Sequence, residues 1–122
     1  MNCEISNCQR KHQNTTVVYD SISGLTIKTV LITSGSSYDI NGFVPLRRKS
    51  IQYVYDANKN IIVKCISKSK YRGDAATIIK NNYISFDKSQ RGFIILHQPF
   101  LFGKGYVLKY DLYGKRISKT PI

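Results

Sequence analysis

Acidic side chains are scarce in this chain. Seven aspartates and glutamates stand against nineteen lysines and arginines over 122 residues, which leaves a net charge of +12. A domain with about one excess positive charge per ten residues repels itself, so an anionic partner is expected. Long apolar runs are missing too. Ile61-Ile62-Val63 and Phe93-Ile94-Ile95-Leu96 have the length of strands, far short of the roughly 20 residues of a spanning helix. No basic amphipathic helix is present to lie on a bilayer. Residues 1–14 are polar throughout, without the apolar stretch of a secretory signal. No membrane partner is therefore expected. Nucleic-acid phosphates remain, and each phosphate neutralised would release a counterion and add affinity.

Cysteine is sparse and odd in number. Cys3 and Cys8 lie in the polar N-terminal segment and Cys65 in an expected strand. That pattern does not make a disulfide framework, and it fits a reducing compartment. Cys3, Cys8 and His12 lack a fourth zinc ligand nearby, so free thiols on a tail are expected, with no metal and no cofactor. Alanine is rare, whereas isoleucine, lysine, asparagine and tyrosine abound. Such a bias accompanies AT-rich genomes and fits a viral, parasite or organelle-encoded origin.

A convergent set of reactive groups is also lacking. Asp20, Asp56, Asp74, Asp87 and Asp111 fall in apparent turns, where aspartate caps its own backbone. His12 sits in the tail and His97 at the end of an apolar strand. His97 with a neighbouring cation would suit a small basic endoribonuclease of the toxin type, as general base beside a charge that steadies the phosphorane. The commoner role for such a histidine is a strand end facing polar groups. Gly103 and Gly105 flank Lys104 but lack the further glycines and the following helix of a phosphate loop. No enzyme is expected.

What the chain does have is short β-branched and apolar segments separated by turn residues. Strands are predicted over 15–19, 26–33, 50–55, 61–66, 83–86, 92–97 and 106–110, with a hairpin at 56–60. Residues 75–80 suit a helix or a strand equally. Residues 34–42 and 68–80 read as loops, 1–14 as a tail, and 115–119 as a basic tail. The fold class is all-β, a small antiparallel barrel or sandwich in a single domain over 15–122. The pairs Tyr55-Asp56 and Tyr110-Asp111, with Lys59 and Lys115 following, are too brief to count as a repeat.

The cations are the informative feature. They cluster as Arg47, Arg48 and Lys49; Lys68, Lys70 and Arg72; Lys88 and Arg91; Lys104; and Lys115, Arg116 and Lys119. These groups read as loop residues, which on a rigid scaffold reach phosphates from several directions. Tyr71 beside Arg72 offers a face for an unpaired base.

The order of several segments resembles one family. Asn82-Tyr83-Ile84-Ser85-Phe86-Asp87, followed by the apolar strand from Gly92 to Leu96, is similar to a paired segment of the universal large-subunit ribosomal protein family L-fourteen. Ile62-Val63-Lys64-Cys65-Ile66 with Lys68, Lys70 and Arg72 resembles that family's apolar strand and basic loop. Val18-Tyr19-Asp20-Ser21-Ile22-Ser23-Gly24 resembles its early turn, and Leu101-Phe102-Gly103 its late bend. The resemblance implies a five-stranded β-barrel with a short C-terminal extension. It implies a structural role on large-subunit rRNA near the subunit interface, with neighbouring ribosomal proteins and small-subunit rRNA as further partners. The divergence and composition point to a mitochondrial ribosome. RNA contacts are then expected from Arg47, Arg48, Lys49, Lys64, Lys68, Lys70, Arg72, Lys88, Arg91, Lys104, Lys115 and Arg116.

Overall fold

The chain folds as an antiparallel meander, seen in a computed structural model that describes residues 9–39, 42–72, 75–89, 92–98 and 104–122. Eight strands follow one another: β1 Gln9–Tyr19, β2 Thr26–Asp39, β3 Gly42–Tyr55, β4 Ile61–Arg72, β5 Ala75–Asp87, β6 Gly92–Gln98, β7 Tyr106–Tyr110 and β8 Arg116–Pro121. Each pairs with the next, so spatial order equals sequence order. Two sheets share β5. Residues from Ala75 to Lys80 pair with β4, and those from Asn81 to Asp87 pair with β6. The first sheet is thus β1–β5 and the second β5–β8.

The all-β class is as expected, but the five-stranded closed barrel is not. Eight strands are present, and among the described residues β1 and β8 remain edges that do not pair with each other. The expected loops at 34–42 and 68–80 are largely strand, with β2 running to Asp39, β3 beginning at Gly42, and β4 and β5 separated only by residues 73–74. Residues 75–80 are strand, not helix. The basic C-terminal tail is β8. The expected tail loses residues 9–14 to β1, while residues 1–8, with Cys3 and Cys8, lie outside the described residues. Polar segments such as Gln9–Asn14 carry no apolar alternation. Ladder hydrogen bonds to a neighbouring strand, not burial, make them extended.

The core lies between the two sheets. Leu25, just ahead of β2, and Ile27 and Val54 of the first sheet meet Ile84, Phe93 and Ile95 of the second. Phe93 stacks on Tyr110 with ring centroids 4.9 Å apart and planes 3° from parallel. Gly92 permits this approach, because a Cβ there would stand 1.9 Å from the Tyr110 carbonyl oxygen. A buried glutamine stitches the sheets together. Gln52 Oε1 accepts from the Ile84 N–H at 2.8 Å, and its Nε2 donates to the Ile84 carbonyl at 3.4 Å and to Thr29 Oγ1 at 3.3 Å. Gln52 thereby meets the backbone polar groups of β5 where no ladder partner from the first sheet reaches them.

Four hairpin turns gather at one end, because alternate connections of a meander share an end. Each opens on an aromatic-aspartate pair: Tyr19-Asp20, Tyr55-Asp56, Phe86-Asp87 and Tyr110-Asp111. The turns at Asp56 and Asp111 match bond for bond. In each, Oδ1 accepts from the N–H groups two and four residues on, all at 2.9 Å. The aspartate N–H also donates to the carbonyl four residues on, again at 2.9 Å. The third residue after each aspartate has positive φ, Lys59 at 66° and Gly114 at 84°. The turn unit does recur; a two-residue signature with changing spacers hid it in the sequence.

Candidate nucleic-acid interface

Alternation along the first sheet sorts its side chains onto two faces. Ile27, Gln52 and Val54 point into the core. The residues between them point the opposite way, and the strand register aligns them in transverse rows. Lys11, Ser34, Arg47 and Lys70 form one row across β1 to β4. Gln13, Ile32, Lys49 and Lys68 form the next, and the backbone register brings Lys80 of β5 opposite Lys68. Val17, Lys28, Tyr53 and Lys64 form a row nearer the turn end. Strands stand about 4.8 Å apart and same-face residues repeat every ~6.7 Å, so the charges form a lattice of that mesh.

Two like-charged pairs sit directly opposite each other, Arg47 with Lys70 and Lys49 with Lys68. Such a pair destabilises a strand ladder. Around them lies a groove of ≈ 500 Å³ whose walls include Lys11, Ser34, Arg47, Lys49, Lys68 and Lys70. Lys11, Arg47, Lys68 and Lys70 are exposed and Lys49 is half-buried. The described carboxylates offer this face little relief. Asp20, Asp56, Asp87 and Asp111 all sit in the turns, each accepting hydrogen bonds from its own turn. Asp39 ends β2, five residues past Ser34, with its side chain outside the described residues, as is all of Asp74.

The twelve cations expected at the site divide. Arg47, Lys49, Lys64, Lys68 and Lys70 share the face just described. Alternation puts Arg48 on the other face, though it reaches the rim of the groove. Arg72 is the last residue of β4, with its side chain outside the described residues, and Arg91 lies outside them altogether. Lys104 precedes β7, and Lys88, Lys115 and Arg116 stand exposed at the turn end. The expectation that the clusters at 47–49 and 68–72 are loops is corrected: they lie within β3 and β4. Strand geometry, rather than loop reach, aligns them. Lys11 and Lys28 were missed. The signal available was the two-residue spacing of Arg47 and Lys49 and of Lys64, Ile66, Lys68 and Lys70, which is a strand period.

His97 stands on β6, in the second sheet, half-buried. Its Nδ1 lies 2.6 Å from Asn82 Oδ1. The Asn82 amide nitrogen donates to the Ile66 carbonyl at 3.1 Å, so its oxygen faces the imidazole and Nδ1 is the donor. The ring stacks on Tyr106 at 4.7 Å, and Lys119 Nζ lies 4.3 Å from the centre of that tyrosine ring. Between the sheets a cleft of ≈ 470 Å³ is lined by neutral groups that include Thr29, Ser50, Gln52, Ser67 and Asn82. Among the described residues no cluster of histidine, cysteine and carboxylate groups is placed to hold a metal, and no helix is long and apolar enough to cross a membrane. No family model, curated protein or solved structure matches the chain.

Proposed function

We propose that this protein binds RNA through the cationic face of its first sheet and holds the phosphate backbone there without chemical turnover. The observation that carries this reading is the register that sets Arg47 against Lys70 and Lys49 against Lys68. A sheet that opposes like charges loses stability alone and regains it when phosphates lie between them. The RNA host implied by the sequence resemblance is large-subunit rRNA of a mitochondrial ribosome, with neighbouring ribosomal proteins and small-subunit rRNA beside it. That host rests on the order of sequence segments alone, because the open eight-stranded meander is not the closed barrel the resemblance implied. Binding of the purified chain to RNA, titrated from low to moderate salt, tests the reading. A log–log slope of about −3 or steeper is expected from the five cations of the two rows; no binding at low salt refutes it. Sedimentation with the large subunit in extract, persisting at high salt, tests the host separately.

A second reading, an endoribonuclease, is favoured by one observation. Asn82 fixes the His97 proton on Nδ1 and leaves Nε2 for proton transfer. Against it, His97 belongs to the second sheet while the cation rows belong to the first. RNA cleavage that disappears in His97→Ala while RNA affinity stays would establish it.

A further inference from the structure

We propose that the turn-ward half of the same face stacks unpaired bases, so that the partner is a single-stranded polynucleotide rather than a duplex. The inference rests on the phosphate-binding reading above and adds the class of strand. β3 is an interior strand of the first sheet, and Tyr53 and Tyr55 have the same alternation parity as Arg47 and Lys49. Their ring centroids lie 6.2 Å apart with planes tilted by 39°. Tyr53 is flanked in register by Lys28 on β2 and Lys64 on β4, a row of cation, ring and cation. Lys64 Nζ lies 5.7 Å from the Tyr53 ring centre. Tyr19, exposed to 64%, stands in the same row as Tyr55, across Thr26.

The stacked pair Phe93 and Tyr110 shows what a structural role for such rings looks like. Phe93 is fully buried and lies flat on Tyr110 within the core. Tyr53 and Tyr55 sit instead on the face turned away from that core, tilted and half-exposed, with Tyr53 between Lys28 and Lys64 in register. A single strand presents both groups this row can take: phosphates for the flanking lysines and a base plane for the ring. A duplex keeps its bases paired and stacked inside, and leaves no free base plane for a ring on a sheet face to stack on. Beyond the apolar row of Val30, Ile51 and Ile66, Lys49 and Arg47 stand two and three rows further from the turns and carry the phosphate track along β3.

The test measures the affinity of the whole chain for three labelled probes by fluorescence anisotropy at fixed salt. The probes are a single-stranded oligouridylate of about 12 nucleotides, an abasic phosphodiester of equal length, and an RNA duplex of equal length. The oligouridylate is expected to bind roughly 5- to 150-fold more tightly than the abasic strand for each base stacked. The duplex is expected to bind no more tightly than the oligouridylate. Tyr53→Leu should narrow the gap between base-bearing and abasic strands and leave abasic affinity unchanged, whereas Tyr53→Phe should keep the gap. Circular dichroism confirms that each variant is folded. Should Tyr53→Leu fail to fold, the gap in the native chain and its retention in Tyr53→Phe decide. Equal affinity for the oligouridylate and abasic strands overturns the stacking proposal and leaves phosphate binding standing. A gap undiminished in Tyr53→Leu overturns it as well. Failure of all three probes to bind the folded chain ends the phosphate-binding reading and this one with it.

Discussion

The two ends of the meander solve the problem of charge in opposite ways. At the turn end, acids stand at the start of each hairpin and spend their oxygens on the chain's own amides. The Asp56 and Asp111 carboxylates each accept two backbone N–H groups at 2.9 Å. At the other end, Lys11, Arg47, Lys49, Lys68 and Lys70 share one face, with two pairs directly opposed. The first arrangement is met within the chain, save for Asp87 Oδ2, which is buried without a hydrogen-bond partner. The second gains from an anion that the chain does not itself supply among its described residues. A turn needs an internal acceptor to bend, while a strand pairs through its backbone and tolerates whatever side chains its register brings together. Folding therefore closes the accounts at one end and leaves room for binding at the other.

The largest expected effect comes from erasing the contrast. Replacing Arg47, Lys49, Lys68 and Lys70 together by glutamine should lower RNA affinity about 100-fold near 100 mM salt and flatten the log–log salt slope by about 3. The same substitution at Lys88, Lys115 and Arg116, the exposed turn-end cations, should change affinity less than about threefold. Anisotropy titrations over several salt concentrations read both. Equal losses from the two sets would remove the distinction between the ends. The four-fold variant should also melt higher than the native chain in low salt, since the opposed pairs are gone.

A second effect separates the inner face from the outer. Gln52→Leu strands the N–H and carbonyl of Ile84 in the core, at a cost of about 2 kcal/mol in urea denaturation. RNA affinity of the folded variant should stay within about twofold, because Gln52 points away from the cation rows. A large loss of affinity would mean that the two faces are coupled.

Smaller effects probe the turn end alone. Asp56→Ala should cost about 1 kcal/mol, through the loss of two amide acceptor contacts. Lys59→Gly should recover a similar amount, because Lys59 holds φ at 66° where its partner turn has Gly114. Chemical denaturation of both variants reads the difference. The smallest effect is a pH dependence. The Ser23 hydroxyl, at 2.7 Å, is the main reason the Asp20 carboxyl lies below its usual range; the Ile22 and Ser23 amides and the charge of Lys88 add to this, while desolvation opposes it. Its contribution to stability is full above the unfolded aspartate value and is lost as pH falls through the lowered folded value. Asp20→Asn should make stability less steep with pH on the acid side, below the unfolded value, while RNA affinity at neutral pH stays unchanged. Melting curves from pH 6 down to about 2 measure it.

Much of this was legible before the fold. Strands β6 and β7 and the first half of β4 stand where apolar and β-branched residues predict them, because burial selects such residues. The aspartates at 20, 56, 87 and 111 announce turns, since their side chains bond locally. Where the reading failed, burial was absent. Gln9–Asn14 and the ends of β2, β3 and β4 are polar, and nothing in their composition distinguishes a ladder partner from a loop.

By itself, then, the sequence determined the β class, the positions of the turns and the excess of positive charge, all of which depend on residue type and near neighbours. Only the tertiary structure decided that the cations form a lattice, that Tyr53 lies between Lys28 and Lys64, and that Gln52 joins two sheets. Those facts depend on register between strands distant in the chain, and a shift of one residue would send every side chain of a strand to the opposite face.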